Sequence, residues 1–262
     1  MAPIMRSPIS ITFSVWRAIF LREALDRLFG ERAAWFWLLV EPMLHIAFLG
    51  WIWTVVRVHR MGGIDVLIWL MVGLLAFFLF RRTAIQVMYA IDCNRALFAY
   101  RQVKPFDPAL VRGGLEAFLM VVVATLTLLA AGLLGHDVFP GDPLLVLASA
   151  FGLWLLGMGY GLIASVLMEL VPESEHILNI LMLPLYLISG VIWPISTVPG
   201  QWREVLMLNP IAHGLESVRQ GFVPYYHAAP ETSLAYLYIF AIVQIFIGML
   251  LYRRFALRLV MQ

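Results

Sequence analysis

Lysine is nearly absent from this 262-residue chain: of its 18 Lys and Arg residues, only Lys104 is a lysine and the rest are arginine. The loop G-x-x-x-x-G-K-[ST] cradles nucleotide phosphates with a lysine that a hydroxyl residue follows. Lys104 sits between Val103 and Pro105, so ATP hydrolysis by such a loop is excluded. The single cysteine, Cys93, excludes an internal disulfide and a cysteine-built metal cluster. Charge is also scarce, at 13% against 62% hydrophobic residues, where soluble domains have about 25% and about 45–50%. So little charge excludes a soluble protein, and a net charge of +2 gives no reason to expect a nucleic-acid partner. The five N-terminal arginines are not followed by a short apolar run with a small-residue cleavage site, so no signal peptide is read.

The apolar excess falls into runs. About 20 apolar residues cross the roughly 30 Å hydrocarbon core, and six candidate spans emerge: 33–56, 64–84 (with a possible helical extension towards Ile91), 110–134, 144–168, the shorter 177–193, and 234–252. Basic flanks stay cytoplasmic. Fourteen of the 18 basic residues lie in the N-terminal segment, the stretch Arg81 to Arg112 and the C-terminal tail, whereas Arg57, Arg60, Arg203 and Arg219 lie opposite. Both termini are therefore predicted to be cytoplasmic. The loop carrying Glu169, Glu173 and Glu175 is cytoplasmic by parity although it holds no basic residue.

Ahead of the first span, Phe13, Trp16, Phe20, Ala24 and Leu28 recur at helical spacing with Arg22 and Asp26 opposite. The pattern predicts an amphipathic helix within 1–32, either lying in the membrane interface or in the cytoplasm. Arg17 and Arg27 fall in or beside its apolar sector and would have to snorkel. Within the spans, Glu41 and His45 share one helix face as a buried polar pair, which marks either a functional interior position or a self-satisfied structural pair. Glu116 and Gln244 read as helix-to-helix hydrogen-bonding residues, and Gly157 with Gly161 as a close-packing G-x-x-x-G.

Two loops are more than connectors. Between the second and third spans, a short helix over 94–105 is predicted to begin near the capping residue Asn94 and to stop at Pro105. Leu97, Phe98, Tyr100 and Val103 give it an apolar surface rimmed by Arg95, Arg101 and Lys104. Such a surface suits either docking into a partner's groove or resting on lipid headgroups. After the fifth span, residues 194–230 remain apolar but are broken by Pro194, Pro199, Pro210 and Pro224. They read either as re-entrant short helices, tolerable where protein or a watery cavity covers the broken backbone, or as an ordinary external loop.

The stretch Asn94 to Pro108, and Ser189-Gly190 through Asn209-Pro210 to Phe222, resemble the membrane subunit of ABC exporters that move capsular polysaccharide or O-antigen across the bacterial inner membrane. The resemblance covers nearly the whole chain, and Trp35-Phe36-Trp37 through Glu41-Pro42 tilts it towards the capsule branch. It implies an all-α integral membrane domain over 1–262, with six transmembrane helices, an N-terminal interfacial helix, a cytoplasmic coupling helix and re-entrant helices after the fifth span. It implies coupling to an ATPase through Asn94, Arg95, Leu97, Phe98, Tyr100, Arg101, Val103 and Lys104. A substrate channel is implied along spans one and five, where Trp37, Glu41, His45, Trp53, Tyr186, Ser189 and Trp193 are the candidate liners. The candidate external gate comprises Gly190, Pro194, Pro199, Trp202, Asn209 and Pro210. The implied assembly is a homodimer with two ATP-binding cassette subunits, which carry the ATP and magnesium, a lipid-linked polysaccharide substrate and a periplasmic envelope-spanning partner. No cofactor is expected in this chain.

Rival substrates are O-antigen, a teichoic acid-like glycan or a drug; a membrane-embedded lipid-modifying enzyme or a passive channel are rivals of another class. Two arrays imitate metal sites, Glu169/Glu173/His176 and His213/Glu216, but Pro172 breaks the first and a di-iron bundle needs further carboxylates. The acidic loop itself reads either as a contact for a basic patch on the ATPase or as a solvated turn.

Overall fold

Polar caps set where the apolar runs become helices. The Asp65 carboxylate accepts from the amides of Leu67 at 2.9 Å and Ile68 at 3.4 Å to open α3 (Val66–Met88). Asp142 opens α5 (Pro143–Leu170) through the Leu145 amide at 3.0 Å, with Pro143 at the first position, where its missing N–H loses nothing. Asp107 ties the start of α4 (Phe106–Leu133) by accepting from the Lys104 amide at 2.8 Å.

The computed structural model describes residues 8–30, 32, 34–56, 60–61, 63–100 and 102–261. Residues 1–7, Ala33, Arg57 and Arg101, on which parts of the expectations rest, lie outside them. The chain runs through α1 (Pro8–Phe29), α2 (Ala34–Val55), a two-residue hairpin pairing β1 (Arg60–Met61) with β2 (Ile64–Asp65), α3, a 3-10 helix (Asp92–Ala99), α4 and α5. It continues through α6 (Ser174–Ile180), α7 (Met182–Ile188), a 3-10 turn (Ile195–Thr197), α8 (Gly200–Leu206), α9 (Pro210–Phe222) and α10 (Leu234–Met261).

Among the described residues five helices are long and apolar enough to cross a membrane: Trp35–Trp53, Val66–Met88, Phe106–Leu133, Pro143–Leu170 and Leu234–Ala256. The stretch expected as a fifth span, 177–193, is instead two seven-residue helices, α6 and α7. Pro184 lacks the N–H that would bond the Ile180 carbonyl, so the helix breaks at Leu181. It then ends at Gly190, whose φ of +74° favours glycine. The 28 residues of α4 make about 42 Å of helix, longer than the hydrocarbon core. Arg81, Arg82 and Arg112, counted from sequence among flanking residues, accordingly lie inside α3 and α4.

The centre is α3 against α5. A side chain at Gly157 would come 2.7 Å from the Phe80 carbonyl, and one at Gly161 2.7 Å from the Ala84 carbonyl, so the expected close packing joins α5 to α3. α9 and α10 flank α5, and Trp69, Leu74, Phe77, Leu153, Leu215 and Leu237 fill the core. α2 packs mainly on α3 and leaves Trp35, Phe36, Trp37, Phe48 and Trp51 exposed.

Candidate functional site

The helix after α3 is shorter and tighter than expected. It spans Asp92–Ala99 as a 3-10 helix, and Tyr100 is already extended. Asn94 is not a cap. Its buried amide donates to the Ala90 carbonyl at 2.9 Å and to Glu23 of α1 at 3.1 Å, and its oxygen accepts from Arg22. Phe98 is likewise turned inward, against Val87, Ile91, Ala109 and Tyr252, because burying a phenylalanine among apolar neighbours outweighs leaving it in water. Leu97, Tyr100 and Val103 remain at the surface, where with Val15 and Ile19 of α1 they line a cleft of about 440 Å³. Arg95 pairs with Asp92 at 2.9 Å and with Glu169 at 2.8 Å, and Lys104 is exposed.

α1 turns most of the expected stripe inward: Trp16, Phe20, Ala24 and Leu28 are half-buried beside buried Ile19 and Glu23, Arg22 and Asp26 are exposed, and Phe13 is exposed together with Leu21, Leu25 and Phe29. The Trp16 indole donates to Asp107 at 2.8 Å. Arg27 does not snorkel: it reaches Glu116 at 2.6 Å, and Arg82 takes the other carboxylate oxygen, also at 2.6 Å. Gln86 accepts from Arg27 at 2.5 Å and from Arg112 at 2.7 Å. Glu116 is fully buried and acts as an ionic hub joining α1, α3 and α4, a stronger role than the interhelical hydrogen bond expected of it. The Gln244 side-chain oxygen, given the same expectation, is buried without a partner among the described residues.

The candidate channel residues separate into two groups. The His45 Nε2 and the Tyr186 hydroxyl are 3.0 Å apart, and both rings meet edge-on against their neighbours, His45 on Phe78 and Tyr186 on Phe77. Glu41 is exposed and lines a cleft with Phe78, Arg81, Arg82 and Gln86. The expected buried Glu41–His45 pair is therefore not formed, since His45 has turned to Tyr186. Trp53 packs half-buried on the core with its indole N–H unpartnered among the described residues. Trp37 and Trp193 are exposed, and neither Ser189 nor Trp193 belongs to a helix.

Ser189 and the candidate gate residues belong to an interlocked corner. Buried Ser189 donates to the Leu185 carbonyl and accepts from the Asn209 amide at 2.8 Å; Asn209 also caps α9 through Ile211 N at 3.1 Å, with Pro210 next. Fully buried Arg219 donates to the carbonyls of Gly190 at 2.8 Å and Val191 at 3.2 Å, pairs with Glu216 at 3.2 Å, and lies 3.6 Å above the Trp69 ring. Tyr226 donates to Glu216 at 3.0 Å, and burial pushes its hydroxyl up to about 12, so it stays a donor. Buried Pro194 accepts from Thr197 at 2.7 Å, Pro199 opens α8, and Trp202 is exposed. Sequence reasoning missed Arg219 as the organiser; its only local signal is a Glu216–Arg219 pair three residues apart.

His213 and the acidic loop also find partners within the chain. Glu175 accepts from Tyr89 at 2.7 Å. The His213 ring accepts from the Ser233 amide at 2.9 Å through Nδ1, so Nε2–H is the nitrogen that donates to the Met207 carbonyl at 2.7 Å. That pattern requires the neutral imidazole. Burial lowers its pKa further, so its contribution to stability is complete above the ordinary imidazole value and is lost as pH falls below it. The unfolding temperature of the purified protein is expected to fall with acidification through that range, and a His213→Gln variant is expected to lose this dependence.

Residues 14–223 match the family described as ABC-2 type transporter. The chain is 35% identical over 237 residues to the polysialic acid transport protein KpsM of Escherichia coli, covering 90% of this chain and 91% of that protein. It is 24% identical over 217 residues to the capsule polysaccharide export inner-membrane protein BexB of Haemophilus influenzae, covering 83% and 82%. Similarity to the capsule polysaccharide export inner-membrane protein CtrC of Neisseria meningitidis serogroup A is 24% over 208 residues, covering 78% and 77%.

Proposed function

The chain belongs to the ABC-2 type transporter family, and from that premise we propose that it is the permease subunit of an ATP-driven exporter moving a lipid-linked capsular polysaccharide outward across the bacterial inner membrane. The similarity to KpsM along nine-tenths of both chains carries this reading. The energy source is assigned to a separate ATPase that binds ATP and magnesium, because the only lysine lies outside any phosphate loop. Two copies of the chain around a two-fold axis would complete the pore.

Side-chain contacts support a sixth crossing by α6 and α7. Glu175 meets Tyr89 at one end of α3, and Gly190 meets Arg219 over Trp69 at the other. The fifteen-residue, on average apolar stretch Ser174–Ile188 thus runs alongside most of α3. One side of the molecule gathers α1, the Asp92–Ala99 helix, the Glu169 loop and the end of α10, joined through Glu23–Asn94, Arg95–Glu169 and the packing of Phe98 near Leu259. With its arginines, this is the cytoplasmic side by the positive-inside rule, and α1 and the end of α10 belong to it.

The ATPase docks on Leu97, Tyr100 and the cleft shared with α1, and its stroke passes from the Asp92–Ala99 helix into α3. Glycan passes the polar and aromatic groups of α2 and α7, Glu41, His45, Tyr186 and Trp53, under the corner built on Ser189, Gly190 and Asn209. Replacing Leu97 and Tyr100 together by aspartate should release the ATPase, since these side chains face the cleft rather than the core. Co-purification through a tag on the permease checks this, with an unchanged unfolding temperature showing that the chain still folds; an ATPase that stays bound would sink the docking assignment.

A further inference from the structure

Arg81 lies fifteen residues into α3, about 22 Å along it. Its neighbour Arg82 is neutralised by Glu116, but among the described residues Arg81 closes no hydrogen bond and no ion pair. An arginine within a membrane-spanning helix that closes no ion pair is expensive and by default marks a functional position. It is half-buried and lines, with Glu41, Arg82 and Gln86, a cleft of about 190 Å³ between α2 and α3. One turn back along α3, Phe78 lines the same cleft and meets the His45 ring, which is bonded to Tyr186.

We propose that Arg81 is the centre of an anion-binding subsite in this cleft, which holds a phosphate or carboxylate of the exported molecule. A guanidinium offers paired donors matched to either group. The cleft holds one such group with a few waters, at about 30 Å³ per water, and is too small for a stretch of polymer. Glu41 lines the same cleft without pairing to Arg81, so its carboxylate repels an incoming anion, and removing its charge tightens binding. The subsite rests on the exporter reading, because the substrate supplies the anion: either the phosphate that links glycan to lipid or the acid of a sugar ring.

The test uses the full-length chain with its ATPase in nanodiscs of phosphatidylcholine. Two probes carry the anion separately: dodecyl phosphate, a lipid phosphate without sugar, and a carboxylated tetrasaccharide without lipid; a neutral tetrasaccharide is the control. At least one anionic probe is expected to bind, with affinity reduced at least about tenfold in Arg81→Gln, reduced less in Arg81→Lys, and raised in Glu41→Gln. Binding of dodecyl phosphate alone assigns the subsite to the lipid linkage, and binding of the tetrasaccharide alone assigns it to the glycan. Failure of both probes to bind, or equal binding by Arg81→Gln and the parent, overturns the subsite. ATPase retention is read in the same preparations: a parent chain that captures no ATPase fails the exporter reading, whereas an intact complex whose anion binding ignores Arg81 fails the subsite alone.

Discussion

Replacing Arg219 by leucine is expected to destabilise the protein by about 3–5 kcal/mol, the range for breaking a buried ion pair from one side. The magnitude follows from what is stranded. Glu216 is fully buried and would keep only Tyr226 and the Ala229 amide, at 3.0 and 3.1 Å, as donors. The carbonyls of Gly190 and Val191 would lose the guanidinium that holds them. Leucine also forfeits the cation–π contact with Trp69, itself worth about 2 kcal/mol where water is excluded. Substituting lysine should recover little, since one ammonium cannot reach both carbonyls and the carboxylate while lying flat on the indole. The double variant Arg219→Leu with Glu216→Leu should recover the charge penalty but not the carbonyl penalty, and so fall between parent and single variant. Unfolding of the purified chain in lipid nanodiscs reads all four proteins, and a single variant as stable as the parent would remove Arg219 from its organising role.

The same corner has a functional consequence. Trp69 lies in the first turn of α3, and the 3-10 helix Asp92–Ala99 follows the other end of that helix. A displacement of α3 imposed from the Asp92–Ala99 end therefore reaches Gly190, where the chain takes a positive φ, through a rigid aromatic and a guanidinium rather than through a flexible loop. Gly73 leaves the room this needs, because a side chain there would fall 2.2 Å from the Arg219 guanidinium. This gives the Ser189–Gly190 corner a mechanical link to the Asp92–Ala99 helix at the other end of α3.

How far the sequence discloses such features depends on the range of the forces involved. α3, α4, α5 and α10 are legible as apolar runs to within a few residues at most of their ends, because lipid imposes a continuous local requirement. The interruption at Leu181 is also local, yet the apolar run of 177–193 conceals it, since Pro184 is apolar as well as helix-breaking. The end of the Asp92–Ala99 helix is not local. Asn94 has the chemistry of a cap, but Glu23 and Arg22, more than 70 residues earlier in the chain, draw it inward. Similarly, Glu41 at helical spacing is the obvious partner for His45, whereas the actual partner, Tyr186, is 141 residues away. Arg219 is the extreme case, because three of its acceptors are backbone carbonyls, those of Trp69, Gly190 and Val191, which carry no residue signature at all.

The second large effect is expected at Glu116. Changing it to leucine leaves Arg27 and Arg82 facing each other across a site from which Glu116 had been fully buried, with Gln86 able to accept from only part of the guanidinium donors. About 3–5 kcal/mol should again be lost, but the loss should be concentrated in α1, whose inner end is held by Arg27. The helix up to Glu23 keeps its Trp16–Asp107 and Glu23–Asn94 bonds, so α1 should loosen over its last turn and a half rather than detach. Hydrogen exchange over residues 24–29 is expected to accelerate strongly while α5 and α9 stay protected. Glu116→Gln keeps both acceptor and shape but removes the charge, and should show the same local loosening in milder form. Uniform exchange across the whole bundle would instead assign Glu116 to general stability and leave α1 without a dedicated anchor.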